Sequence, residues 1–137
     1  MAWLLDTSVL SELRKGDRCD ERVQTWLDGV ADEDLFTSVL VIGEIRRGIE
    51  ILRRRDPTAA AMLDHWLGRL SDTYAERILP IDRRVAECWA ALNVPSPVPT
   101  VDGLLAATAM EHDLTVVTRN TRDVAALGVP ILDPFVG

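Results

Sequence analysis

Four acidic residues stand where the chain around them is otherwise apolar. Asp6 ends the run Trp3-Leu4-Leu5, and Asp102 precedes Gly103 to Met110, a stretch with no charge at all. Asp123 lies six residues beyond Val117, in Thr118-Arg119-Asn120-Thr121-Arg122-Asp123. Glu44 is read on a helical wheel. With Ile42 at zero and about 100° per residue, Arg46, Arg47, Glu50, Arg53 and Arg54 fall on an arc of roughly 20° to 140°. Glu44 falls at about 200°, among Leu40, Val41, Gly48 and Ile51. A carboxylate on an apolar arc is costly unless it is paired or binds a metal. Each acid also has an ordinary reading. Asp6 and Asp123 can cap helices, Asp102 can be a first-turn acid favoured by the helix dipole, and Glu44 can pair with Arg47 three residues on.

Taken together, four carboxylates brought into one place repel one another and raise their pKa values. A divalent cation removes that conflict, and oxygen-only ligation suits Mg²⁺ or Mn²⁺. Zinc is disfavoured: His65 and His112 are far apart in sequence, and no HExxH or CxxC spacing occurs.

The elements that must position these acids follow from periodicity. Short apolar strands are expected at Trp3–Leu5, Leu35–Thr37, Ile78–Ile81, Thr115–Val117 and Ile131–Leu132. Pro80 weakens the third, because proline removes a ladder donor. Between them, helices are expected from Thr7 to about Arg14, around Val23–Val30, and from a Ser38 cap to about Arg55. Others open at Pro57, run from an Asp82 cap through Leu92, span about Val101 to His112, and cover Arg122–Leu127. Strands alternating with helices predict an α/β fold, a parallel sheet covered on both faces. Ligands of such sheets bind outside the carboxyl ends of the strands, where Asp6 and Asp123 fall.

At 137 residues the chain reads as a single domain, 1–137, with 47% hydrophobic and 27% charged residues, which argues against disorder. No apolar run approaches the roughly 18 residues of a membrane span, and the N-terminus has no signal-peptide pattern. Cys19 and Cys88 are the only cysteines and read as reduced thiols, so a cytoplasmic location is expected. The net charge of −7 excludes nucleic-acid binding by bulk attraction. Local arginines or a bound cation would have to reverse it. Arg46, Arg47, Arg53, Arg54 and Arg55 stand against Glu50 alone within ten residues. The tryptophans Trp26 and Trp66 lie on apolar helix stripes and read as core or interface.

Four segments in order resemble PIN-domain ribonucleases, specifically the VapC/FitB-like toxins of type II toxin–antitoxin pairs. They are Leu5-Asp6-Thr7-Ser8-Val9-Leu10, Gly43-Glu44-Ile45-Arg46-Arg47-Gly48, Asp102-Gly103-Leu104-Leu105-Ala106-Ala107-Thr108-Ala109, and Val117 through Asp123. The resemblance covers nearly the whole chain. It implies a PIN-like three-layer sandwich with a short parallel central sheet flanked by helices. It implies RNA cleavage with Mg²⁺ or Mn²⁺, leaving a 5′-phosphate and a 3′-hydroxyl. Asp6, Glu44, Asp102 and Asp123 become the catalytic, metal-holding cluster. Thr7 and Thr118 would support metal or water through their hydroxyls, and Asn120 would shape the turn that presents Asp123. The resemblance further implies a homodimer and a cognate antitoxin protein that blocks the active groove. Arg119 and Arg122, and further out Arg46 and Arg47, are candidates for RNA phosphates, while Arg53 to Arg55 read as a solvated face. Two departures from the family pattern are Ser8, where asparagine is common, and Val124, where phenylalanine is common.

Three other readings compete with this one. A PIN-like domain that binds RNA or a partner without cutting keeps the fold but not the chemistry. An aspartyl-phosphate enzyme would use Asp6 as nucleophile, but Ser8 stands where its second acid belongs. A dinucleotide or nucleotide binder lacks any GxGxxG or P-loop sequence.

Overall fold

A computed structural model describes residues 1–136. Its five strands are β1 (Trp3–Leu5), β2 (Leu35–Ser38), β3 (Ile78–Leu79), β4 (Thr115–Val117) and β5 (Ile131–Leu132). All pair in parallel, in the order β3-β2-β1-β4-β5. The register sets Trp3 beside Leu35 and Thr115, and Leu5 beside Val117. β3 is shorter than the apolar run Ile78–Ile81 suggests, because Pro80 ends the ladder.

Seven α-helices are found among the described residues: α1 (Thr7–Leu13), α2 (Glu21–Asp28), α3 (Val39–Arg53), α4 (Pro57–Thr73), α5 (Arg83–Asn93), α6 (Thr100–His112) and α7 (Thr121–Ala125). The chain steps outward from β1 through β2 to β3, then returns to the other side of β1 for β4 and β5. Right-handed crossovers place helices of the outward steps on one face and helices of the return on the other. Packing agrees: α1 meets α2 and α3, α3 meets α4, whereas α5 meets α6 and α6 meets α7. The fold is thus the three-layer α/β sandwich expected from the sequence.

Local chemistry explains the helix starts. Asp6, Ser38, Asp56 and Asp82 each accept a hydrogen bond from a backbone N–H in the first turn of the following helix. The core is aliphatic, with Leu4, Leu5, Val9, Leu10, Val41, Ile49, Val116 and Val117 essentially without solvent contact. Trp3 packs edge-to-face on Trp26, with ring centroids 5.3 Å apart. Both cysteines are free thiols. No helix among the described residues is long and apolar enough to cross a membrane.

The α5–α6 contact is tight enough to test. A Cβ at buried Gly103 would lie 2.8 Å from Trp89 Cδ1 and 2.9 Å from its Nε1. Trp89 Nε1 is itself buried without a hydrogen-bond partner among the described residues, so the ring is held by packing alone. Gly103→Ala is expected to destabilise the protein by about 1–2 kcal/mol, the overpacking cost less alanine's helical advantage. Thermal unfolding checks this. Trp89→Leu in the same chain should recover part of the loss, so the pair will be less harmful than the sum of its members.

Candidate active site

The order of the strands reverses between β1 and β4, two neighbours whose connections leave in opposite directions, and ligands of open α/β sheets bind at the carboxyl ends of such a pair. Asp6 follows β1 at this point, and the turn Thr118–Asn120 follows β4. The two are stitched together: Asp6 N–H donates to Val117 O at 3.2 Å. α3 begins directly after β2 and brings Glu44 to the same end of the sheet. The carboxyl end of α6 leads within two residues into β4, so its amino end, with Asp102, returns to the carboxyl edge. Asp123 sits in α7, the helix that leaves β4.

Asp6 is both a cap and the centre of a network. Its Oδ1 accepts from Val9 N–H at 3.2 Å, which fixes the start of α1. The same oxygen accepts from the Ser8 hydroxyl at 2.6 Å. Its Oδ2 accepts from the hydroxyl of buried Thr118. Ser8 Oγ in turn accepts from Arg119 N–H at 3.2 Å, and Thr118 Oγ1 from Asn120 N–H at 3.0 Å. Ser8 and Thr118 therefore lock the β4 turn to the carboxylate after β1. The Thr118–Asp6 and Arg119–Ser8 contacts join residues more than a hundred positions apart, and nothing local in the sequence announces them.

Glu44 corrects its sequence reading. It is exposed, not a lone buried carboxylate. The buried stripe of α3 is Val41, Ile45 and Ile49, while Ile51 on the same apolar arc is 51% exposed. The arc is wider than the surface the sheet can cover, and Glu44 lies on its open margin. Its Oε1 accepts from the Thr7 hydroxyl at 2.7 Å, and among the described residues it makes no ion pair with Arg47.

Asp102 reports on the company it keeps. Its pKa is raised, first by burial, then by the charges of Asp123, Glu44 and Asp6, and by a hydrogen bond with Asp123. All four acids therefore face one region. Asp102 and Asp123 both lie in first turns, and neither is a cap: Pro99 and Asn120 hold those positions. Among the described residues, no three carboxylate, imidazole or thiol groups stand close enough to hold one ion as they are. The donor set nonetheless suits a hard divalent cation: it is all oxygen, and the other three acids disfavour the charge of Asp102.

The arginines divide. Arg46 reaches Glu50 at 3.4 Å and also Asp64, and Arg53 reaches the same two acids at 2.9 and 2.5 Å. These contacts clamp α3 to α4, so Arg46 is occupied there and Arg53 is not simply solvated. Arg119 lies over the Phe135 ring at 3.9 Å. Arg47 and Arg122 are exposed and have no acidic partner among the described residues.

The chain is a parallel three-layer sandwich with acidic residues gathered at the switch point of its sheet. The PIN domain family model matches residues 3–128, and the chain belongs to that family. It is 33% identical to Toxin FitB of Neisseria gonorrhoeae, over 96% of this chain and 97% of that protein. It is 31% identical to VapC ribonuclease Y4jK of Sinorhizobium fredii, over 96% of each chain. The crystal structure of FitAcB from Neisseria gonorrhoeae superposes with a TM-score of 0.89 at 33% identity, covering 98% of this chain and 99% of that one.

Proposed function

We propose that this protein is a metal-dependent endoribonuclease, the toxin of a toxin–antitoxin pair. The observation that carries the reading is Asp6 held at the switch point of the sheet by the Ser8 and Thr118 hydroxyls; burial first, and then the charges of Asp123, Glu44 and Asp6, raise the Asp102 carboxyl beside it. Relatives named as a toxin and as a ribonuclease over nearly their full length support it.

In this reading Asp6, Glu44, Asp102 and Asp123 hold the cation. Mg²⁺ or Mn²⁺, when bound, would polarise the scissile phosphate and lower the pKa of an attacking water. The chain's own residues supply the rest. Thr118 and Ser8 fix both oxygens of Asp6, so the carboxylate would hold the cation without reorganising. Thr7 orients Glu44 in the same way. Asn120 begins the α7 turn that presents Asp123. Arg119, Arg122 and Arg47 are available to adjacent phosphates. Single-stranded RNA is the substrate, and an antitoxin inhibits by covering the acids. The chain acts as one domain, in the cytoplasm, and pairs as a homodimer.

A second reading draws on the spacing of the acids, which do not close on a common point. In it the chain binds RNA or a partner without cutting. One experiment separates the two. Antitoxin-free protein is incubated with labelled single-stranded RNA in Mn²⁺, Mg²⁺ or EDTA. Cleavage that requires the metal is the expected result. Metal binding by calorimetry without cleavage of any RNA would favour the silent domain.

A further inference from the structure

The acid cluster opens at one side into a groove of about 320 Å³ between α1, α3 and α4. Thr7 and Glu44 line its near end, and Arg14 and Arg55 its far end. Its floor is apolar and includes Leu63 and half-buried Trp66. Arg14 also borders a second hollow, whose other lining residues are Lys15 and Arg18. Glu44, Trp66, Arg14 and Arg55 thus line one groove, and Arg14 is shared with the hollow that holds Lys15 and Arg18, so four cationic side chains border the two. Arg14, Arg18 and Arg55 are exposed and have no acidic partner among the described residues, unlike Arg46 and Arg53. Lys15 lies 3.0 Å from Glu12. Two acids without an ion pair among the described residues adjoin these cations in sequence: Asp17 beside Arg18, which lines a neighbouring hollow with Gly16 and Cys19, and Asp56 beside Arg55, which caps α4.

On a chain of net charge −7, a line of cations beside an apolar, aromatic floor suits a ligand with a regular anionic backbone and flat apolar faces. We infer that this groove is the track for the RNA strand flanking the scissile bond: Arg14 and Arg55, then Arg18, hold successive phosphates while bases lie on Trp66 and Leu63. Single strands are bound in this way, by cations along the backbone and aromatic faces under the bases. The inference rests on the reading of the chain as an RNA-cutting enzyme, but it concerns binding and is tested without turnover. It reassigns Arg55, which the sequence placed on a solvated face, and it gives Trp66 a role besides packing.

Binding of a fluorescent single-stranded RNA of roughly a dozen nucleotides is followed by anisotropy in EDTA, across a salt series. Three variants are compared with the wild type: Arg14→Ala with Arg55→Ala, Trp66→Leu, and a control with Arg83→Ala and Arg84→Ala on α5. The control removes the same charge from the opposite face of the sheet. The Arg14/Arg55 variant is expected to bind about tenfold or more weakly, and its salt slope to fall by about 1.4, two contacts at about 0.7 each for single strands. Trp66→Leu should weaken binding about tenfold with the slope unchanged, because stacking releases no counterions. The control should keep its slope. Equal losses in the control and the Arg14/Arg55 variant would reduce the effect to net charge and overturn the track. So would wild-type affinity and slope in the Arg14/Arg55 variant, which would leave the groove to a protein partner. Wild type that binds no RNA would remove the ribonuclease reading and the track together.

Discussion

Asp6→Asn is expected to lower metal-dependent RNA cleavage by at least about a hundredfold, the scale of losing one electrostatic contact at a reacting centre. The protein should remain folded. Asn is as good a helix cap as Asp, so the bond that starts α1 from Val9 N–H survives. The Thr118 hydroxyl can turn from donor to acceptor when an amide replaces Oδ2. What the substitution removes is the negative charge, and with it one of the four ligands proposed for the cation. Initial rates at saturating Mn²⁺, beside a melting curve within about 2 °C of wild type, make the test. A folded variant that cuts at the wild-type rate would remove Asp6 from the chemistry and leave it a cap.

The reading of Asp6 shows why the sequence carries so much of this site. A carboxylate after a buried strand and before a helix is local information, and so are the caps at Ser38 and Asp82. The alternation of strands and helices then dictates a parallel sheet, and the sheet dictates which edge holds the acids. Asp102 and Asp123 follow from their places at the starts of α6 and α7. Glu44 shows the limit. Its helical wheel reports which side of α3 is apolar, not how much of that side the sheet covers. The exposed Ile51 marks the difference. Contacts between distant elements are not legible at all. Asp64 on α4 captures Arg46, and Ser8 receives Arg119 N–H from the far side of the switch point. Arg14 and Arg55 are 41 positions apart in sequence, and only the packing of α1 against α3 brings them to one groove. Each of these facts belongs to tertiary packing, where charge pairing is decided by distance and not by spacing along the chain.

Asp102→Asn is expected to stabilise the metal-free protein at neutral pH while abolishing cleavage. The folded protein holds the Asp102 carboxyl above its ordinary value, through burial and the nearby acids. The unfolded chain titrates it near about 3.9. Between those two values the folded state binds more protons than the unfolded state, so this group's contribution to stability falls as pH rises. Above the raised value the penalty is complete, and the neutral amide escapes it. Solvent still reaches the carboxyl and screens the repulsion, and a first-turn acid gains something from the helix dipole, so the advantage is small, a rise in melting temperature of roughly a few degrees. Two signatures go with it. The melting temperatures of variant and wild type, compared in EDTA, should converge as pH falls below about 4, where the wild-type carboxyl is protonated in both states. At neutral pH, Mn²⁺ should raise the melting temperature of the wild type more than that of the variant, because a cation that binds only the folded state stabilises it by mass action. Protons and metal compete for the same oxygens, so the wild-type gain from Mn²⁺ should also shrink on acidification. A variant less stable than wild type in EDTA at neutral pH would mean that Asp102 serves the helix more than it strains the cluster, and the crowding that argues for a cation would lose its support.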